Sequence, residues 1–399
     1  MNALISNAAA PSSKSALGAA KVAELRRAIT MSSMLTTVSR RLNVPMVRQR
    51  AKQMLSGQHV DLQRLATRHW QLCPATEVRS RPALMPPGSM ERILSFSPLT
   101  HPEHELAMLR GALIRHDASI GHVVEGATIA GAFLYVGAAR WHAGMGEEHL
   151  LVKGPRPEPV FLEEATLRCS YTSSNYFGCM MLDAAPLALI DEHSEGSIVL
   201  PGRPYSHEAG YRSLLGLSQP EVVSRGWVQR LTLYTDHAQN DYKRRRYLEL
   251  RARLRSRLGP RPAGSSRPMV YIGRGTAGEA RVLVNEDGVI RALRDRGFTI
   301  IDPSTMSAEE IARASLDASI VVGVEGSQLA HTIFSMADDA AFLVIQPPTR
   351  VAMAFKEFTD CVGMTFAMVV ADPAEKGFSM PIDTLLRMVD TLDRRVAVA

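Results

Sequence analysis

The sequence predicts an α/β protein whose second half is a parallel sheet with crossover helices. Four short apolar runs carry that prediction: 269–273, 298–302, 319–323 and 341–346. Helical patterns fill the gaps between them, at 286–296, 307–317 and 327–336. Strand and helix alternating at this spacing argue for parallel pairing. Ligands of such sheets sit outside the carboxyl ends of the strands. Two loops fall there, 274–285 and 324–328, both rich in Gly and in charged or hydroxyl side chains. That composition suits phosphate and sugar.

With 399 residues the chain has room for two domains of ordinary size. It is 46% hydrophobic and 22% charged, as expected of a globular protein. The net charge of +6 is modest, and aromatic residues make up only 6%. No basic-plus-aromatic motif is present, so nucleic acid is not an expected partner. Cys73, Cys169, Cys179 and Cys361 show no CxxC spacing and no paired His, which speaks against zinc and for reduced thiols in the cytoplasm. The apolar stretch 126–139 is too short to span a membrane, and the N-terminus lacks the pattern of a secretory signal.

Taken in order, residues 1–20 read as a poorly ordered start, and 21–70 carry helical periodicity with many basic residues. Prolines crowd 74–102, a loop or linker. Residues 105–115 read as a helix, 119–141 as a hairpin or two strands, 197–202 as a strand ending in a turn, and 211–217 as a short helix. Residues 236–258 read as one helix with an apolar stripe at Tyr247, Leu250, Leu254 and Leu258. Its other face is strongly basic. The plain expectation is a solvated helix leading out of a first domain; the sharper one is a peripheral membrane contact, with 238–258 facing anionic lipid or glycan. Residues 259–268 read as an interdomain linker.

Gly273-Arg274-Gly275-Thr276-Ala277-Gly278 matches the GxGxxG dinucleotide fingerprint, and Asp302 ends the next strand. Two details oppose NAD or FAD. The helix should run on from the third glycine, yet Asn285-Glu286-Asp287-Gly288 reads as a fresh start with Asn285 as N-cap. The interval from Gly273 to Asp302 is also long for the fingerprint.

Tyr271-Ile272-Gly273-Arg274, then Arg281, then Asn285-Glu286-Asp287, resembles a motif of glycosyltransferase family 61. Val322-Gly323-Val324-Glu325-Gly326-Ser327-Gln328-Leu329 resembles the same family's glycine-rich loop. Upstream, Asn175 to Leu187 resembles its aromatic segment that ends in an acid and a proline. Glu325 stands where the family often has His, Cys179-Met180 where it often has His-Trp, and Gly273 where it has Ser. These departures resemble a bacterial branch of the family that serves capsular or surface polysaccharide synthesis.

The resemblance implies an inverting transferase that moves a sugar from a nucleotide sugar to a glycan or lipid-linked glycan acceptor. It implies two Rossmann-like domains facing a cleft, a GT-B-like architecture, here with a helical N-terminal extension. The expected divisions are 1–85 for that extension, 86–258 for the acceptor side, 259–372 for the nucleotide-sugar side and 373–399 for a C-terminal helix. Arg274, Arg281, Asn285, Glu286, Gly323, Gly326, Ser327 and Gln328 are the expected donor-binding residues. Asp183 and Glu325 are the catalytic candidates. Ser327 is also placed to cap the following helix. No cofactor is expected, and with no Asp-x-Asp in the cleft motifs a metal-independent reaction is favoured, a divalent ion staying open. The expected location is the cytoplasm, at the inner face of the membrane if the basic helix docks there. A non-catalytic nucleotide- or glycan-binding relative and an NAD- or FAD-dependent oxidoreductase are the competing functions.

Overall fold

The computed structural model describes residues 42–56, 60–151, 157–192, 196–274 and 281–396. Residues 1–41 of the expected N-terminal helical region lie outside them, as do Gly275 to Gly278 of the fingerprint. The chain is mixed α/β, with two main sheets.

Helix α1 (Val44–Ser56) lies in the basic N-terminal stretch; residues 68–70, also expected to be helical, instead open strand β1 (Arg68–Cys73). A hairpin follows from β2 (Thr76–Arg79) and β3 (Leu113–His116). Between them lies α2 (Pro102–Arg110), shorter than the expected 105–115 helix at its far end. Gly111 explains the stop: it takes the left-handed conformation at φ 74°, the standard glycine C-cap.

The first main sheet holds β4 (Ser119–Ala130), β5 (Phe133–Val136), β6 (Ala139–His142), β7 (Val160–Leu167), β8 (Ser197–Val199), β9 (Glu221–Val222) and β10 (Arg225–Thr235). Its order is β6-β5-β4-β10-β7-β8-β9, with β1 also on β4. Strands β1, β4, β5, β6 and β10 pair antiparallel, whereas β10, β7, β8 and β9 pair parallel. This half is therefore a mixed sheet, not a second parallel unit. Antiparallel strands join through tight turns, and Gly131 and Gly137, both at positive φ, make the turns that β4, β5 and β6 need.

The second main sheet holds β11 (Met269–Ile272), β12 (Thr299–Ile301), β13 (Ile320–Val324), β14 (Ala341–Gln346) and β15 (Thr365–Val370). All its pairings are parallel, in the order β12-β11-β13-β14-β15. Counted from β11 this is 2-1-3-4-5, a doubly wound order with its switch point between β11 and β13. Alternate residues of each strand go to opposite faces. Val321, Phe342, Val344, Phe366 and Met368 enter one core cluster; Val322, Leu343, Ile345, Ala367 and Val369 enter the other. Burial on both faces is why these strands read as continuous apolar runs rather than alternating ones.

Helices α3 (Glu208–Leu214), α4 (Asp241–Leu258), α5 (Glu286–Arg294), α6 (Ala308–Ala314), α7 (Ala354–Val362) and α8 (Ile382–Val396) complete the layers. The apolar stripe of α4 is buried as expected, with Tyr247, Leu250 and Leu254 at 0% exposure. Its basic face departs from expectation. Lys243 pairs with Asp183, Arg246 with Asp236, Arg251 with Asp338, Arg253 with Glu192, and Arg255 with Asp317. Arg251 is nearly inaccessible and also donates to the Ile333 and Met336 carbonyls. A cation is removed from water only where a carboxylate and carbonyls replace its hydration. The face read as solvated is thus mostly consumed inside the fold, and Arg244, Arg245 and Arg257 are its exposed remainder. Among the described residues, no helix is long and apolar enough to cross a membrane.

Candidate functional site at the switch point

The loops that leave β11 and β13 flank the switch point, and their side chains converge. Arg274 follows β11, and its Nη1 donates to the Glu325 carbonyl at 3.1 Å and to Gln328 Oε1 at 3.2 Å. Arg281 Nη1 donates to the same carbonyl at 3.1 Å. The Glu325 carboxylate is 7% exposed, too deep to stand without counter-charge. Its Oε2 lies 3.2 Å from Arg281 Nε and 3.3 Å from Nη1 of Arg350. Three guanidiniums thus gather on one residue, Arg281 and Arg350 at the Glu325 carboxylate and Arg274 with Arg281 at its carbonyl. Arg350 was not among the expected residues. It stands just past β14, behind Pro347-Pro348, so its signal was the one that marked Arg274: a basic residue directly after a buried strand.

Gly326 makes this convergence possible. Its backbone sits at φ 152° and ψ 169°, a region that essentially only glycine occupies. A Cβ there would overlap Arg274 Nη1 and come within 2.5 Å of Gln328 Oε1 and 2.9 Å of Arg281 Nη1. Gln328 holds its own place by donating from Nε2 to the Val324 carbonyl at 2.6 Å, which turns Oε1 toward Arg274. Four of the expected donor residues, Arg274, Arg281, Gly326 and Gln328, are therefore brought together around Glu325.

The other expected residues serve the surrounding fold. Gly323 lies within β13, where a Cβ would meet the Ile272 carbonyl at 2.9 Å, so it allows close strand packing. Asn285 holds the N-cap position of α5 without capping it; its amide instead exchanges two hydrogen bonds with the Met380 backbone, at 2.8 and 3.0 Å. Glu286 accepts the Tyr271 hydroxyl at 2.8 Å. Ser327 makes no cap either. It lies against Gly178, where a Cβ would stand 3.3 Å from its hydroxyl.

That contact joins the upstream segment to the loop. Phe177 stacks 4.4 Å from His331, which also meets His207 and Tyr211. The Tyr211 hydroxyl donates to the His331 carbonyl at 3.1 Å, so His331 Nδ1, 2.9 Å away, is the donor to that oxygen. The lone pair is then on Nε2. Burial, aided by His207, lowers the His331 pKa to about 3 and keeps the ring neutral. The segment that carries His331 is a 3₁₀ helix, Ser327–Thr332, where an α-helix over 327–336 was expected. Thr332 and Ser335 hydroxyls bond back to carbonyls three residues earlier, at 3.0 and 3.2 Å, and so compete with the α-helical ladder.

Asp183 sits apart. It lies in a single π-helical stretch, Met180–Ala184, a distortion that recurs at functional sites. Its Oδ1 accepts from the fully buried Lys243 Nζ at 3.2 Å. It lines a small cavity with Ser170, Ser173, Tyr234 and His237. Among the described residues no hydrogen bond or ion pair links it to the arginine cluster; its tie to the loop is the Gly178 contact five residues earlier.

Residues 156–351 match the family model Glycosyltransferase 61. The chain carries a glycosyltransferase family 61 domain. The match takes in the upstream segment, Arg274, Arg281, the Gly326 loop and Arg350, so the arginine cluster and the Phe177–His331 contact both lie within the glycosyltransferase 61 domain. It also covers β11 to β14 of the parallel sheet, and so both strands of its switch point. No curated protein matches the chain.

Proposed function

We propose that the protein is an inverting glycosyltransferase that takes its sugar from a nucleotide sugar and places it on a glycan acceptor in surface polysaccharide assembly. The arginine cluster at the switch point is the observation that carries this reading. In transfer, the acceptor oxygen bonds to the anomeric carbon as the bond from that carbon to the diphosphate oxygen breaks. The departing nucleoside diphosphate gathers negative charge, which Arg274, Arg281 and Arg350 meet with donors already in place. Glu325 acts here as the anchor of those guanidiniums, since its carbonyl and carboxylate are both committed to them. Asp183 takes the acceptor proton; its position on the segment that packs through Gly178 onto the Gly326 loop supports that role. In this GT-B-like reading 259–372 forms the donor side and 86–258 the acceptor side.

The first test is donor affinity. Each charge-assisted contact contributes roughly 1.5–3 kcal/mol. Arg274→Ala is therefore expected to weaken nucleoside diphosphate binding by roughly tenfold or more in calorimetry. Unchanged affinity in a folded variant would remove the cluster from the donor site. A thermal-shift screen against UDP-, GDP-, CMP- and dTDP-sugars identifies the base, because a ligand that binds only the native state raises stability. Turnover of that donor then separates a transferase from a binding relative.

A further inference from the structure

A cleft of about 650 Å³ lies away from the arginine cluster, between the β2–β3 hairpin, the start of α4 and the far end of α7. Arg350 precedes α7 at the carboxyl edge of the sheet, whereas Asp360, Cys361 and Gly363 line the cleft at the helix's other end. The helix that runs between these two ends has nine residues and is about 13 Å long. From this cleft we infer a second binding site, for a neutral hydroxyl-rich ligand: a sugar unit of the acceptor glycan distant from the reacting end. The choice of sugar rests on the transferase reading above.

Three observations carry it. Thr76 and Gln239, both in the wall, each bury a side-chain oxygen that has no hydrogen-bond partner. Leaving such atoms unpaired is costly, and both belong to side chains that line the open space. Gln239 Oε1 only accepts, so the ligand must bring hydroxyl or amide donors. Second, the charge is wrong for phosphate. The wall carries Glu77, Asp241, Glu357 and Asp360 against Arg81 and Arg244. Asp360 is answered by Lys356 at 2.6 Å, and burial lowers the pKa of His116, which favours its neutral form. No cluster of arginines of the kind found around Glu325 lines this cleft. Third, Val78, Met108 and Ile114 supply apolar surface beside these groups, the mixture that the two faces of a sugar ring require.

The test uses the full-length protein and defined probes: methyl β-glucoside, methyl β-xyloside, N-acetylglucosamine and chitobiose, in saturation-transfer NMR and calorimetry. At least one is expected to bind, and Thr76→Val/Gln239→Leu to weaken that binding tenfold or more with nucleoside diphosphate affinity unchanged. The double variant removes unpaired polar atoms, so its melting temperature is expected to hold or rise. Arg244→Ala, an exposed substitution on the cleft wall, checks the same binding without touching the interior. Failure of every probe to bind, as for a cleft that holds water only, would overturn the site. So would saccharide binding that survives both variants, or that is lost in Arg274→Ala instead. If a saccharide binds here while no nucleotide binds anywhere, the donor reading fails and this site stands.

Discussion

Gly326→Val is expected to abolish donor binding. The residue sits at φ 152°, and a valine held there is strained by about 1–3 kcal/mol. The larger effect is on its neighbours. The new Cβ would occupy the place of Arg274 Nη1 and crowd Gln328 Oε1 and Arg281 Nη1. Two guanidiniums are pushed off their shared anchor, the Glu325 carbonyl. If each loses a contact of roughly 1.5–3 kcal/mol, affinity falls by roughly a hundredfold or more. Calorimetric titration with the nucleoside diphosphate reads this directly, with circular dichroism as the control for folding. A variant that binds normally would place the donor elsewhere.

Asp183→Asn is expected to lower turnover by about a hundredfold or more and leave donor affinity nearly unchanged, since loss of a general base costs about 10²–10⁴ in rate. The substitution also strips the counter-charge from Lys243, which is fully buried. Breaking a buried pair costs about 3–5 kcal/mol, and less here because the Asp183 side chain is 28% exposed. Stability and catalysis can be separated with a partner change. Asp183→Asn/Lys243→Met removes both charges, so the melting temperature is expected to recover while turnover stays low. Recovery of turnover together with stability would make Asp183 a structural residue. Near-normal transfer by the single variant would remove it from the mechanism and move suspicion to Glu325.

The parallel sheet was legible because strands buried on both faces leave an unmistakable trace: short apolar runs closed by Gly, Pro or Asp, with amphipathic stretches between. Arg274, Arg281, Gly326 and Gln328 were legible for a related reason, since each follows the end of such a run. What stayed hidden depends on distant partners. Nothing near Arg251 announces Asp338, and nothing near Lys243 announces Asp183; a basic run reads the same whether it faces water or a ring of acids brought by the fold. The mixed first sheet was missed for a like reason: pairing direction belongs to the partner strand, not to the strand itself. Gly111 and the Thr332 and Ser335 hydroxyls were local signals, and they bear on two of the helices whose extents were misjudged, those expected over 105–115 and 327–336.

The segment 259–268 connects two stretches of chain, yet the side chains on either side of it share one core. Met181, Tyr211, Tyr247, Leu250 and Leu254 come from before it; Val270, Ile301, Val321 and Phe342 from after it. To swing the two stretches apart would drag those groups into water, at about 25 cal/mol for every Å² of apolar surface exposed. A wide gape of the molecule is therefore not expected on substrate binding. Scattering envelopes with and without nucleotide should superimpose, and a protease cut at Gly264 should leave two pieces that still travel together.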